Sequence, residues 1–480
     1  MVVLRLAGIC GVALALAAAA AAAPDADVRV SAPGIREHLV ALQAIASRND
    51  GNRLAGTPGY DASARYVARR LRAAGYAVRF QELAIQLVVD RSPPALRTVG
   101  AGRRSFRAGR DVATLGYSGS GRVQAPVLAV DLIVPSPEPN RSTSACEASD
   151  FAGFRPGAVA LVQRGSCRFR SKVENAIAAG ASAVIVFNEG NEGRRGLFPG
   201  TLGAPQMSVP VLGASFAVGD ALRGGVLAGP TGTTVEVEAD VLAERRTTRN
   251  VLAESRTGRP ANVVMVGAHL DGVERGPGMN DNGSGAAVVL EIAEQLAARK
   301  TRNRLRFAWW GAEELGLLGS RHYVAGLSDA ARSRIALYLN VDMVGSRNFV
   351  RFVYDGDGSS TPRRRSRLPA ASAAVERVLA GYFTARGLPY RETATGGSDH
   401  LPFARAGVPV GGLFTGASGR KSAAQAAEFG GRAGRPFDPC YHRACDTLAN
   451  VDPTALREQA EALAYAVATF ADDTSSVNGR

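Results

Sequence analysis

Apolar residues recur at three- and four-residue intervals in IREHLVALQAIASRND, from Ile35, and again in DASARYVARRLRAAG, from Asp61, so the chain opens with two amphipathic helices. Gly75 and Tyr76 stop the second helix, and AVRFQEL after them reads as a strand. From about Val88 to Ala239 the texture changes to short β-rich pieces, APVLAV, GAVALVQRG and ASAVIVFNEG, punctuated by Gly and Pro around one helix in KVENAIAAGA. These strands carry their own apolar residues, which predicts an inserted domain. The α/β texture then resumes: TTRNVLAES, NVVMVGAHLDG, RLRFAWWGAEE and IALYLNVDMVGS read as strands, with helices in GAAVVLEIAEQLAAR and LGLLGSRHYVAGL. Strands alternating with helices predict an α/β fold with a doubly wound, largely parallel sheet flanked by helices. The expected division is a main domain in two parts, 27–87 and 240–472, an insert over 88–239, and a polar tail, 473–480, that frays.

The apolar run at the front belongs to neither domain. It follows Arg5 and ends in small residues offering several cleavage sites near Ala23, the layout of an export signal over 1–23. Cys10 follows Ile9 directly, without the small residue expected before a lipid-modified cysteine. The expected location is therefore secreted or periplasmic, with no stable membrane association after the signal is removed. Removal leaves Cys146, Cys167, Cys440 and Cys445, an even number that suits two disulfides in an oxidising compartment. The C-x4-C spacing of the last two could hold zinc, but His442 is the one further donor close by, which favours a Cys440–Cys445 bridge. Cys146 with Cys167 follows by elimination.

A 46% hydrophobic, 21% charged composition is that of an ordinary globular protein, and 480 residues exceed one comfortable core. The net charge of +14 comes from scattered arginines with three lysines and no basic run interleaved with aromatics, so a nucleic-acid partner is not expected. The densest cluster, Arg363–Arg367, reads as a solvated loop.

In doubly wound sheets ligands bind beyond the carboxyl ends of the strands. His269, Glu313, Glu314 and Asp342 each fall at or just after a predicted strand end, and Asp281 lies in GMNDNGSGAA, which opens a helix. Singly, each has an ordinary explanation: Asp271 would steady a strand-end His269, and Asp281 would cap its helix. Four acids and a histidine on one rim, however, repel unless cations compensate them, and oxygen plus imidazole donors without thiolate suit zinc.

Taken in order, GAHLDG, GMNDNGSG, WWGAEELGLLGS, NVDMVGS, GGLFTGA and CYHRACDTLAN, with NRLAGTPGYDAS nearer the front, resemble the secreted co-catalytic di-zinc aminopeptidases of the streptomycete leucine-preferring type. The resemblance implies a zinc exopeptidase fold and two Zn2+ ions per chain. His269 and Asp342 would hold one zinc, Glu314 and His442 the other, and Asp281 would bridge them. Glu313 would be the general base, Tyr441 would steady the tetrahedral oxyanion, Asp271 would support His269, and Phe414 would form a wall of the substrate pocket. His400, in GGSDHLPF, is then a structural or supporting histidine, and His38 and His322 are structural. One departure stands out: relatives place an arginine before the Ser-Asp pair, whereas Gly397 precedes Ser398 and Asp399 here. The insert resembles a protease-associated domain through VALVQRGSCRFRSKVENAIAAGASAVIVFNEG and VPVLGAS. The implied substrates are peptide or protein N-termini with apolar first residues, acted on by a monomer. The competing readings are a zinc carboxypeptidase or dipeptidase of the same superfamily, and a binding protein without catalysis.

Overall fold

The computed structural model describes residues 29–100, 102–198, 200–203, 205–360, 368–394 and 397–480. The expected signal over 1–23 and the Arg363–Arg367 cluster lie outside them.

Two helices open the described chain, Ala32–Ser47 and Pro58–Ala73, each with Pro in its first turn. Ser31 caps the first by accepting from the Gly34 amide at 3.1 Å. A single 14-stranded mixed sheet runs through the molecule. Its centre in the main domain is parallel: Val410–Phe414, Ile335–Val341, Arg259–His269 and Asn303–Trp310 lie side by side in that order. The sheet becomes antiparallel on both flanks, where Phe352–Tyr354 meets Val410–Phe414 and Asn303–Trp310 meets Gly229–Glu254.

The central strands are buried on both faces, which their near-continuous apolar sequences require. Alternate residues feed two cores. Val264, Val266 and Trp309 face the helices Ala32–Ser47, Pro58–Ala73, Gly285–Leu296 and Pro453–Asp472, while Met265, Trp310 and Tyr338 face Leu318–Ala325 and His400–Arg405. This is the doubly wound arrangement.

The insert adds Gly121–Ala129, Val159–Gln163, Ala183–Phe187, Val211–Ala214 and Val112–Thr114 to the same sheet, with apolar clusters on both of its faces. It is tied to the main domain by strands, with no linker. Ala77–Val99 lies antiparallel along Gly229–Glu254 from Ala77 opposite Glu254 to Val99 opposite Thr234, with register shifts between Asp90 and Ala95. The change of texture at Val88 and Ala239 therefore falls inside continuous strands. Asp90 to Pro93 on one strand and Arg245 to Thr247 on the other are exposed, but the two stretches are offset along the pair, Arg245 lying opposite Gln86 and Asp90 opposite the buried Val241.

The tail corrects one expectation. Residues 473–480 do not fray: Ser475–Asn478 forms a helical turn, and the buried Thr474 hydroxyl accepts from Asn262 Nδ2 at 2.8 Å. Asn478 Nδ2 donates to Asn262 Oδ1 at 2.8 Å, so polar side chains dock a segment that has little apolar surface.

Candidate active site

The parallel register aligns the strand ends. Trp310 lies opposite His269 and Asn340 opposite Gly267, so the segments following Trp310 and Val341 emerge beside His269. A cleft of about 220 Å³ opens at this rim. His269, Asp281, Glu313, Glu314, Asp342, Tyr441, His442 and Phe414 all line it, although they span 174 positions of sequence from His269 to His442.

The distances group these side chains around one carboxylate. The Asp281 Oδ1 atom is 3.3 Å from His269 Nε2, and Oδ2 is 3.1 Å from His442 Nε2. His269 Nε2 also faces Asp342 Oδ1 at 3.3 Å, and His442 Nε2 faces Glu314 Oε2 at 3.1 Å. Two clusters able to hold a metal ion result, His269–Glu313–Asp342 and Asp281–Glu314–His442, with Asp281 reaching both histidines. Glu313 thus falls in the first cluster and Glu314 in the second.

Each side chain is held by its surroundings. Asp271 accepts from the Glu313 and Glu314 amides, both at 3.2 Å, while its own carbonyl faces His269 Nδ1 at 3.1 Å. One residue therefore orients the histidine and the glutamate pair together. Asp342 ends a chain of donors: Trp310 Nε1 donates to the Tyr338 hydroxyl, Tyr338 to Asn340 Oδ1, Asn340 Nδ2 to Ser398 Oγ, and Ser398 Oγ to Asp342 Oδ2, at 2.8, 2.9, 3.0 and 2.6 Å. The chain occupies Oδ2 and leaves Oδ1 facing His269.

Tyr441 and His442 project from the loop closed by the Cys440–Cys445 disulfide, and their rings stack with centroids 3.8 Å apart. His442 has a left-handed backbone, φ 57°, uncommon for a residue other than glycine. The second disulfide joins Cys146 and Cys167.

Burial and the mutual pull of the imidazoles and carboxylates set the electrostatics of the rim. Burial alone would push the Asp281 carboxyl up, but His269 and His442 outweigh it and hold it well below the usual carboxylate range. Burial opposes the charged form of His442, yet Glu314 and Asp281 prevail and push it up to about 11. The Glu313 carboxyl is raised well above its ordinary value by burial, with Asp399, Glu314 and Asp342 adding to the rise. Glu314 is raised chiefly by burial, and its Oε1 is buried with no hydrogen-bond partner.

The other histidines stand apart from this cluster. His400 is fully buried, neither ring nitrogen has a hydrogen-bond partner, its ring lies 4.8 Å from that of Tyr354, and burial holds it down to about 3. His38 Nδ1 pairs with the Tyr66 hydroxyl at 2.8 Å, and His322 is exposed on its helix. Phe414 both lines the cleft and stacks on Phe352 at 6.0 Å, and Gly397, with open space around its Cβ position, lines it as well.

Three supporting residues were not assigned from the sequence. Arg53, fully buried, donates to the carbonyls of Pro277 at 2.9 Å and Gly278 at 2.7 Å and also to that of Leu270, fastening the loop before Asp281 to the strand end at His269. Asp446 accepts from the Asn280 and Asp281 amides at 2.9 and 3.0 Å, so the segment that carries His442 also fixes the backbone of Asp281. Asp438 accepts from Asn280 Nδ2 at 2.6 Å. The available signal was position alone: Arg53 lies in NRLAGTPGYDAS and Asp446 closes CYHRACD.

Residues 250–467 match the model of peptidase family M28, and residues 123–222 match that of the PA domain. An aminopeptidase of Pseudomonas aeruginosa is 43% identical over 452 residues, 94% of this chain and 82% of the relative. Leucine aminopeptidase 2 of Trichophyton rubrum is 36% identical, covering 91% and 84%. Among solved structures, an aminopeptidase from Aneurinibacillus sp. strain AM-1 superposes with a TM-score of 0.72 at 28% identity, covering 92% and 94%. A zinc aminopeptidase from Bacillus subtilis gives 0.66 at 25%, covering 92% and 95%. A doubly wound sheet with a carboxylate–imidazole rim and this inserted domain places the chain in peptidase family M28. Within that family it is a metallo-aminopeptidase, a hydrolase of peptide bonds.

Proposed function

We propose that the chain is an exported aminopeptidase that holds two zinc ions and removes N-terminal, preferably apolar, residues from peptides. The observation that carries this reading is the Asp281 carboxylate, with one oxygen facing His269 and the other His442. A carboxylate so placed suits a bridge between two cations, His269 and Asp342 completing one site and Glu314 and His442 the other. The donor set fits zinc: imidazole and carboxylate, no thiolate, and a buried Glu314 oxygen without a partner.

Zinc, when bound, supplies the Lewis acidity that lowers the pKa of water and polarises the scissile carbonyl. The chain's own residues do the rest. Glu313, which belongs to neither proposed ligand set, takes the proton of the attacking water and delivers it to the leaving amine nitrogen. Tyr441, fixed against His442, donates its hydroxyl to the tetrahedral oxyanion. The rim carboxylates receive the substrate's ammonium, which restricts cleavage to chain ends. Phe414 offers an apolar wall to the first side chain, a preference matching the name of the leucine aminopeptidase relative.

Hydrolysis of leucine p-nitroanilide against its N-acetylated form tests the reading. Turnover of the free amine alone supports it; preference for the acetylated substrate overturns it in favour of another exopeptidase.

A further inference from the structure

We propose that the inserted domain holds the Glu313–Glu314 pair in its working position through Leu315. This rests on the roles assigned to those two glutamates. Leu315 directly follows Glu314, and its half-buried side chain packs against two apolar clusters at once. One belongs to the main domain and its first long strand, with Ala55, Leu83, Ile85 and Ala312. The other is a core of the insert, built around residues such as Leu115, Tyr117 and Met207. The side chain next to the proposed metal ligand is thus a peg shared by the two domains.

The turn needs such a peg. Ala312, Gly316 and Leu317 all have positive φ, 61°, 107° and 62°, and for the two non-glycine residues this is a conformation the backbone disfavours. Within the turn, the Glu313 carbonyl accepts from the Gly316 and Leu317 amides, both at 2.8 Å. Asp271 holds the Glu313 and Glu314 amides from the strand side, but nothing polar fixes the Leu315 side chain. Surrounding structure must over-determine a disfavoured conformation for it to persist, and Leu315 brings the insert into that set of restraints.

The insert is itself firmly placed. The Tyr117 hydroxyl donates to the Gln86 carbonyl at 2.9 Å, and the Gln206 amide donates to Gln86 Oε1 at 3.2 Å, so the insert's core is hydrogen-bonded to the strand that links the domains. The insert loop at Gly193 also lies against Arg420 of the main domain. Leu315 is accordingly a positioning residue for the glutamates, and the insert supplies its socket.

The test compares Leu315→Ala and Leu315→Met in the full chain, loaded with zinc. Two readouts are taken: amide hydrogen exchange over 312–318, and kcat per active site and KM with leucine p-nitroanilide. Leu315→Ala is expected to speed exchange in the turn at least tenfold and to lower kcat about tenfold with KM within twofold; Leu315→Met, which refills the socket, restores both. If Leu315→Ala does not fold, Leu315→Val carries the same comparison. Unchanged exchange and kcat with a lowered melting temperature would show Leu315 to be packing alone and overturn the proposal. A wild-type chain that does not hydrolyse the anilide would remove the functional reading and leave the exchange readout standing, so the two failures are told apart.

Discussion

Two histidines lie near the rim, the fully buried His400 in the segment Ser398–Phe403 and the partly exposed His442 in Cys440–Asp446, and their surroundings are opposite. His400 sits beside Tyr354 in a pocket with no donor or acceptor for either nitrogen, and burial keeps it neutral. His442 is equally placed in sequence terms, yet its Nε2 lies 3.1 Å from oxygens of two carboxylates. The segments divide the work: the first sends Ser398 to saturate the far oxygen of Asp342, and the second supplies His442 and uses Asp446 to fix the backbone of Asp281. The lesson is that a histidine becomes a ligand through the oxygens that converge on it. Burial alone does not make it one.

The harshest way to break this comparison is to exchange the fates of the two residues. His442→Ala is expected to abolish aminopeptidase activity, because it removes a donor from a buried cluster of carboxylates, whereas His400→Ala should keep most of it; steady-state rates of the two purified variants decide. Glu313→Gln comes next. It preserves shape but removes the base, so turnover should fall by roughly 10²–10⁴ while bound zinc, measured by elemental analysis, is unchanged. Loss of metal in that variant would mean that Glu313 and Glu314 exchange roles. Tyr441→Phe deletes one hydroxyl from the same disulfide loop and should lower kcat by about 10²–10³ with KM and metal content little altered, as for a single oxyanion donor. The smallest effect belongs to the first segment. Ser398→Ala cuts the donor chain at Asp342 and should weaken zinc binding by about 10- to 100-fold in a chelator titration, with Ser398→Thr closer to wild type.

The alternation of strand and helix from Asn262 to Val341 was legible because those strands are buried on both faces and the helix Gly285–Leu296 is buried nearly all round, which writes strong apolar patterns into the sequence. The rim residues were legible as strand-end acids, and the choice among histidines came from the resemblance of CYHRACD to a known ligand segment. Other features left no such trace. The continuity of Ala77–Val99 and Gly229–Glu254 through both domains is invisible where exposed stretches, Asp90 to Pro93 in one strand and Arg245 to Thr247 in the other, interrupt the apolar pattern. Arg53 reads as one arginine among many until its guanidinium is found buried under three carbonyls, and Asp446 is only the last residue of CYHRACD until it accepts two amides 165 and 166 positions away. Such contacts depend on tertiary placement that no local pattern encodes.

The central claim is that Asp281 joins two cation sites, one completed by His269 and one by His442. Zinc content per chain, measured in wild type, His442→Ala and His400→Ala after reconstitution and removal of free metal, tests it most directly. The account predicts two, one and two; a wild-type chain holding a single ion, or a His400→Ala chain that sheds one while His442→Ala does not, would contradict it.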